Sequence, residues 1–261
     1  MEARELRGAL HRLLNRPGII DLILFGSQAR GSTTGFSDVD ALLVVDDETA
    51  ENQDALRSLR RHVIAAQRAV VSYQPMQHHA FEVATPRLLA NAGEALRMPA
   101  VALAETRSLL GRGAEAAFDS DSSEESRARL LEMADATHTV TSWPRHPWHL
   151  HVAVSMFELL PALYLQALGE PVEKWRSFEL AREHFGGQWW PYDLLEQVRA
   201  SWMRSSPLVL SGISTALRNP WLAIAVWRRL PTRRQAAAKL LTDKALTALR
   251  ALAGRMRERA C

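Results

Sequence analysis

Residues 25–45 read FGSQARGSTTGFSDVDALLVV and set two carboxylates, Asp38 and Asp40, at the head of an apolar run. A carboxylate drawn out of water is unfavourable unless a cation or several donors meet it. On extended backbone, side chains two residues apart share a side, so Asp38 and Asp40 face one way and Val39 the other. Two like charges that close invite a cation between them. An oxygen-only pair suits Mg²⁺, which keeps waters and takes one or two carboxylates together with phosphate oxygens. The loop just upstream supplies the opposite chemistry. Gly26 lets backbone approach an anion closely, Ser27 adds a hydroxyl and a backbone N–H, and Arg30 adds a planar fork of donors. A helical turn around Gln28 to Arg30 would add its positive end. Donors in the loop and acids behind it match the two ends of a Mg²⁺–nucleotide.

The flanking pattern gives these residues a scaffold. Leucines at Leu6, Leu10, Leu13 and Leu14 have helical spacing, and Asn15-Arg16-Pro17-Gly18 ends that helix. Ile19 to Phe25 reads as a strand, Asp38 to Val45 as a second strand, and Met76 to Ala84 as a third. Between the last two, Leu56, Leu59, Val63, Ile64 and Val70 mark a helix, and another follows Pro86. Strands alternating with helices predict an α/β domain with a mixed sheet. The acidic, serine-rich DSDSSEES, residues 119–126, contains a capping box from Ser122 to Glu125 and divides the chain into domains 1–118 and 119–261. Beyond it the pattern is helical throughout. All eight tryptophans lie there and fit the core of a helical bundle.

An apolar residue, then Gly-Ser, then a spacer of about ten residues, then Asp-x-Asp among apolar residues resembles the nucleotidyltransferase superfamily related to DNA polymerase β. Here those positions are Phe25, Gly26-Ser27, Gln28 to Ser37, and Asp38-Val39-Asp40-Ala41. The fuller GSxARG…SDxD form is similar to the minimal and antibiotic-modifying members, and the likeness runs from about Ile19 to Val83. The resemblance implies transfer of a nucleoside monophosphate from an NTP to an acceptor hydroxyl with release of pyrophosphate. It implies two Mg²⁺ ions, with Gly26, Ser27 and Arg30 binding the nucleotide. Such members carry a third carboxylate on a neighbouring strand, and Glu82 stands in that position. Asp38, Asp40 and Glu82 are thus the expected catalytic and metal-binding set. On a strand from Met76 to Ala84, His78 shares the face of Glu82 and is a candidate substrate contact, while His79 faces away. Glu94 and Glu105 are candidates for a separate base. The helical half is expected to close one side of the cleft and hold the acceptor.

Composition narrows the rest. The single cysteine, Cys261, allows no internal disulfide and no cysteine-based zinc site, which suits a reducing cytoplasm. The N-terminus is charged and amphipathic, with no apolar signal core. The apolar stretch Trp221 to Trp227 is far shorter than the ~20 residues that span a bilayer, so no membrane span is expected, and it fits either a core or a homodimer surface. The residues after Ser201 are rich in arginine, and Asp243 and Glu258 are their only acids. That excess suits a solvated helix face, or contact with nucleic acid or another anion, without favouring nucleic acid. RHPWHLH, residues 145–151, has the Arg…His spacing of a helical ribonuclease type, but Pro147 lies inside it and argues against that use. A small-molecule acceptor is the leading expectation. Nucleotidylation of RNA or protein, or nucleotide binding without catalysis, are the alternatives.

Overall fold

Leu6, Leu10 and Leu14 bury together along one face of α1 (Ala3–Leu14). Gly18, at φ 85°, turns the chain into β1 (Ile19–Leu24). Gly26, at φ 62°, opens the short α2 (Gly26–Arg30). Then follow β2 (Ala41–Val45), α3 (Asp47–Glu51), α4 (Gln53–Tyr73), β3 (Glu82–Ala84), α5 (Pro86–Leu89) and β4 (Arg107–Ser108). These ranges come from a computed structural model that describes residues 3–77, 79–89, 106–112, 123–203 and 207–260. Asn52 caps α4, its side chain accepting from the N–H groups of Asp54 and Ala55.

The four strands form one sheet in the order β3-β2-β1-β4. β1 runs antiparallel to β2 and β4, and β2 runs parallel to β3, giving the mixed α/β sheet that the sequence predicts. Alternation along the strands sorts the core. Leu22, Leu24, Ala41, Leu43 and Val45 pack with α1 and with Leu59, Val70 and Tyr73 of α4. Ile23, Phe25, Leu42 and Val44 pack on the other face with Ala84 and Leu89.

Two strands are shorter than their sequence suggests. β2 begins at Ala41, so Asp38 to Asp40 precede it, tied to β1 by the Phe25 N–H donating to the Asp40 carbonyl at 3.2 Å. β3 begins at Glu82 because Gln74 to Gln77 form a turn closed by the Gln77 N–H on the Gln74 carbonyl. Pro75 inside that turn has no N–H to give a strand ladder. The expected boundary at residues 118–119, the cap Ser122, and His78, Glu94 and Glu105 lie outside the described residues.

By internal contacts the chain forms two units. One comprises Met1–Thr33, Ser37–Ser120 and Arg204–Leu230; the other comprises Thr34–Phe36, Asp121–Met203 and Pro231–Cys261. The second unit is helical, as expected, with α6 (Ser123–His138), α7 (Pro147–Ala167), α8 (Lys174–Phe185) and α9 (Trp190–Ala200). After α9 the chain returns to the first unit as α10 (Pro207–Leu217) and α11 (Pro220–Trp227), both packed on α4. It re-enters the second unit for α12 (Asp243–Ala260).

In the second unit α6, α8 and α12 pack against α7. Among the described residues α7 is the one helix long and apolar enough to cross a bilayer, but 72% of that window is buried within the protein. It also carries buried His151, Glu158 and Gln166, with Glu158 paired to Lys174 at 3.0 Å, the composition of a core helix. Trp189 stacks on Tyr192, and the Trp143 indole donates to the Thr242 carbonyl, whereas Trp175 and Trp190 are exposed. The tryptophans are thus divided between core and surface. The basic tail ends in α12, which buries Leu246, Leu249, Leu252 and Met256. Its Arg257 pairs with Asp135, and Arg259 donates to the His184 carbonyl.

A Cβ added at Gly18 would lie 2.6 Å from Thr49 Oγ1 and 3.3 Å from Leu59 Cδ1, whereas one at Gly111, also at positive φ, would meet open space. Gly111→Ala should therefore cost only the left-handed penalty of about 1–2 kcal/mol. Gly18→Ala should cost about 1–3 kcal/mol more through overpacking. Urea unfolding of both variants checks this, and equal midpoints would rule out the clash.

Candidate functional site

The site begins with a backbone problem. Val39 is 1% exposed and lies before β2 starts, so its N–H and C=O have neither water nor a neighbouring strand. Gln77, also 1% exposed, serves both. Its Oε1 accepts from the Val39 N–H at 2.9 Å, and its Nε2 donates to the Val39 carbonyl at 3.2 Å. The side-chain amide thus stands in for a strand neighbour. Gln74, fully buried, donates its amide to the Ser37 carbonyl in the same way. The segment from Ser37 to Asp40 is held extended by two glutamines that follow α4. Val39 packs with the core that includes Ala41 and Leu43, which leaves Asp38 and Asp40 on the opposite parity.

Gln77 also donates to the His79 carbonyl at 2.9 Å. His79 Nε2 then lies 3.2 Å from Asp38 Oδ2 and 3.1 Å from Asp40 Oδ1. Burial works against charging this imidazole, but the hydrogen bonds and negative charges of Asp38 and Asp40 outweigh it and raise its pKa to about 11. Among the described residues, Asp38, Asp40 and His79 are the one group of three metal-capable side chains whose ligand atoms converge, all within 4.8 Å of one another. Two carboxylates and an imidazole form a donor set that suits a divalent cation.

Asp40 also faces the loop. A Cβ at Gly26 would lie 2.9 Å from Asp40 Oδ2, so only glycine lets the α2 turn approach the carboxylate this closely. Ser27 is buried in the first turn of α2, and Arg30 is exposed at its end. The loop that is rich in donors and the acidic pair therefore adjoin at Gly26 and Asp40. Glu82, the expected third acid, is exposed on β3 beside Leu42 and is not a member of the converging group. Gln74 to Gln77 form a turn ahead of β3, and His79, held by Gln77, meets the acids. Periodicity along a strand from Met76 pointed His79 away. Pro75 was the signal against that strand, and the two glutamines within the buried VVSYQPMQ were the signal for a polar clamp.

The histidines of the RHPWHLH segment take other roles. His146 caps α7 by accepting from the Trp148 N–H at 3.2 Å. Buried His151 bonds the Phe36 carbonyl at 2.8 Å and stacks on the Phe36 ring.

Residues 3–73 match the nucleotidyltransferase domain family, and this match spans the Gly-Ser turn and both aspartates. Residues 3–73 thus carry a nucleotidyltransferase domain of the DNA polymerase β-like type. No curated protein matches the chain. The nucleotidyltransferase domain implies an NTP as substrate and nucleotidyl transfer as its general chemistry, and its Asp38–Asp40–His79 cluster fits a divalent metal. Gln77 and His79 lie beyond the matched segment.

Two outcomes follow. Because the folded His79 pKa lies above its ordinary 6.5, its contribution to stability is complete below about pH 6.5 and is lost as pH rises through about 11. Without added divalent cation, the His79 ring resonances should hold still from about pH 6 to about pH 9 in an NMR titration. A midpoint near 6.5 would show that the two carboxylates do not hold the proton. Gln77→Leu should destabilise the fold by about 2–3 kcal/mol in urea unfolding, because it strands the buried Val39 N–H and C=O.

Proposed function

We propose that the protein transfers a nucleoside monophosphate from an NTP to a hydroxyl of a small-molecule acceptor and releases pyrophosphate. The observation that carries this reading is the contact between Gly26 and Asp40. It sets the Gly26–Arg30 turn directly against the acidic pair, so one triphosphate could engage both. Backbone N–H groups at the start of α2 and the Ser27 hydroxyl would hold phosphate oxygens, and Arg30 would add charge at the outer end. Asp38 and Asp40, with His79 beside them, would hold a divalent cation. When bound, that cation neutralises charge on the triphosphate and lowers the pKa of the acceptor hydroxyl. In the transfer, the acceptor oxygen bonds to the α-phosphorus and the bond from that phosphorus to pyrophosphate breaks. The acceptor proton passes to a base or to solvent. Positioning and charge neutralisation supply most of the rate.

A cluster with two acids rather than three favours, as a second reading, nucleotide binding without turnover. Both readings are separated by one set of measurements. Pyrophosphate release should be followed with each NTP and Mg²⁺ or Mn²⁺ against panels of aminoglycosides, RNA and protein. Binding of a non-hydrolysable NTP should be measured alongside. Turnover on a small-molecule acceptor, reduced at least about a hundredfold in Asp38→Asn and Asp40→Asn, is the expected result. Undiminished turnover in the double variant would sink the proposal. Tight NTP binding with no turnover on any acceptor would establish the second reading.

A further inference from the structure

The nucleotidyltransferase reading asks only that the acids hold a divalent cation; the surroundings of His79 say more. We propose that His79 Nε2 is a direct ligand of that cation, alongside Asp38 and Asp40. This nitrogen makes the site prefer a first-row transition metal such as Mn²⁺ over Mg²⁺. The inference rests on the reading above only in taking the site to be a cation site.

The first support is spacing. Ligand atoms about 2.1 Å from an octahedral ion, on adjacent vertices, lie about 3 Å apart, and opposite vertices lie about 4.2 Å apart. His79 Nε2 stands 3.2 Å from an oxygen of Asp38 and 3.1 Å from an oxygen of Asp40. Both separations fit adjacent vertices.

The second support is the other ring nitrogen. His79 Nδ1 lies 3.2 Å from the Ala80 carbonyl and 3.3 Å from Gln77 Nε2. The Gln77 amide has two hydrogens, and two carbonyls lie closer than Nδ1, those of His79 at 2.9 Å and Val39 at 3.2 Å. These take both hydrogens, so Nδ1 keeps its own and donates to Ala80. A ring fixed by an Nδ1–H bond to a backbone carbonyl presents Nε2 outward, the arrangement that orients metal-bound histidines. Coordination then releases any proton on Nε2 to solvent and leaves a neutral ligand.

The third support is donor type. Imidazole is a poor partner for Mg²⁺ and suits first-row transition metals better, least of all Mn²⁺ and increasingly toward copper. The two carboxylates still accept the harder ions, so the consequence is a preference rather than an exclusion.

The test uses the full chain, stripped with a chelator and titrated with Mn²⁺ alone under electron paramagnetic resonance, with Mg²⁺ as competitor. Pulsed measurements on the Mn²⁺-loaded protein should detect a directly bonded ¹⁴N nucleus, and Mn²⁺ should bind at least about tenfold more tightly than Mg²⁺. His79→Gln should abolish the nitrogen signal and weaken Mn²⁺ about tenfold or more, with little change for Mg²⁺. His79→Asp should remove the preference. Absence of a bonded nitrogen in the wild-type protein overturns the proposal, and that reading needs no variant to fold. Equal weakening of both ions in His79→Gln also overturns it. Nucleotidyl transfer without a nitrogen signal would end this inference and leave the proposed function intact. A nitrogen-bound Mn²⁺ with no turnover would do the reverse.

Discussion

Gln77 satisfies a backbone that no strand reaches. The Asp38–Asp40 segment must stay extended to present both carboxylates on one side, yet it lies before β2 pairs with β3. Left to itself, Val39 would bury an unpaired N–H and C=O, a cost that opposes the geometry the site needs. One buried amide removes that cost and, through the His79 carbonyl, also places the imidazole. Gln77 thus holds both the backbone between the two acids and the backbone of the imidazole, with Gln74 fixing Ser37 just ahead of them.

The same unit holds its acids in two different ways. Asp21 is fully buried on β1 and is satisfied by donors: the Leu22 N–H at 2.7 Å, the Ser108 hydroxyl at 2.6 Å and the Leu110 N–H at 3.0 Å. These ties fasten the segment around β4 to the sheet, and they leave Asp21 no need of a cation. Asp38 and Asp40 are balanced instead by the positive charge of His79. Neutral donors close a carboxylate into the structure, whereas a cation can be exchanged for another. The first acid is tied into the fold, and the second pair keeps a cation beside it.

Local regularities carried much of this organisation. Leucine spacing marked α1, apolar runs marked β1 and β2, and the Gly-Ser and Asp-x-Asp spacing identified the loop and the acid pair. These features are read within a few residues, where covalent geometry fixes which side chains can face together. The strand expected from Met76 starts only at Glu82, because Pro75 sits in a turn that periodicity alone does not reveal. With that strand went the face assigned to His79, because a single change of conformation redirects every later side chain. The clamp by Gln77 was not legible, since its partner is thirty-eight residues away and the pairing depends on how α4 lies on the sheet. The helical pattern covers α10 and α11 too, but nothing local tells that Pro207 to Trp227 returns to the first unit.

That return bears on how the chain is made. The sheet, the donor loop and the acid pair are all written in the first hundred or so residues, but Arg204–Leu230 belongs to their unit, and α10 and α11 cover α4. A ribosome would release the acid pair long before the helices that complete its scaffold. In the interval the face of α4 that α10 and α11 cover waits without its neighbours. The helical unit emerges in between and must itself await α12. Each unit's last segment is made after residues of the other, so the two are interleaved in the order of the chain.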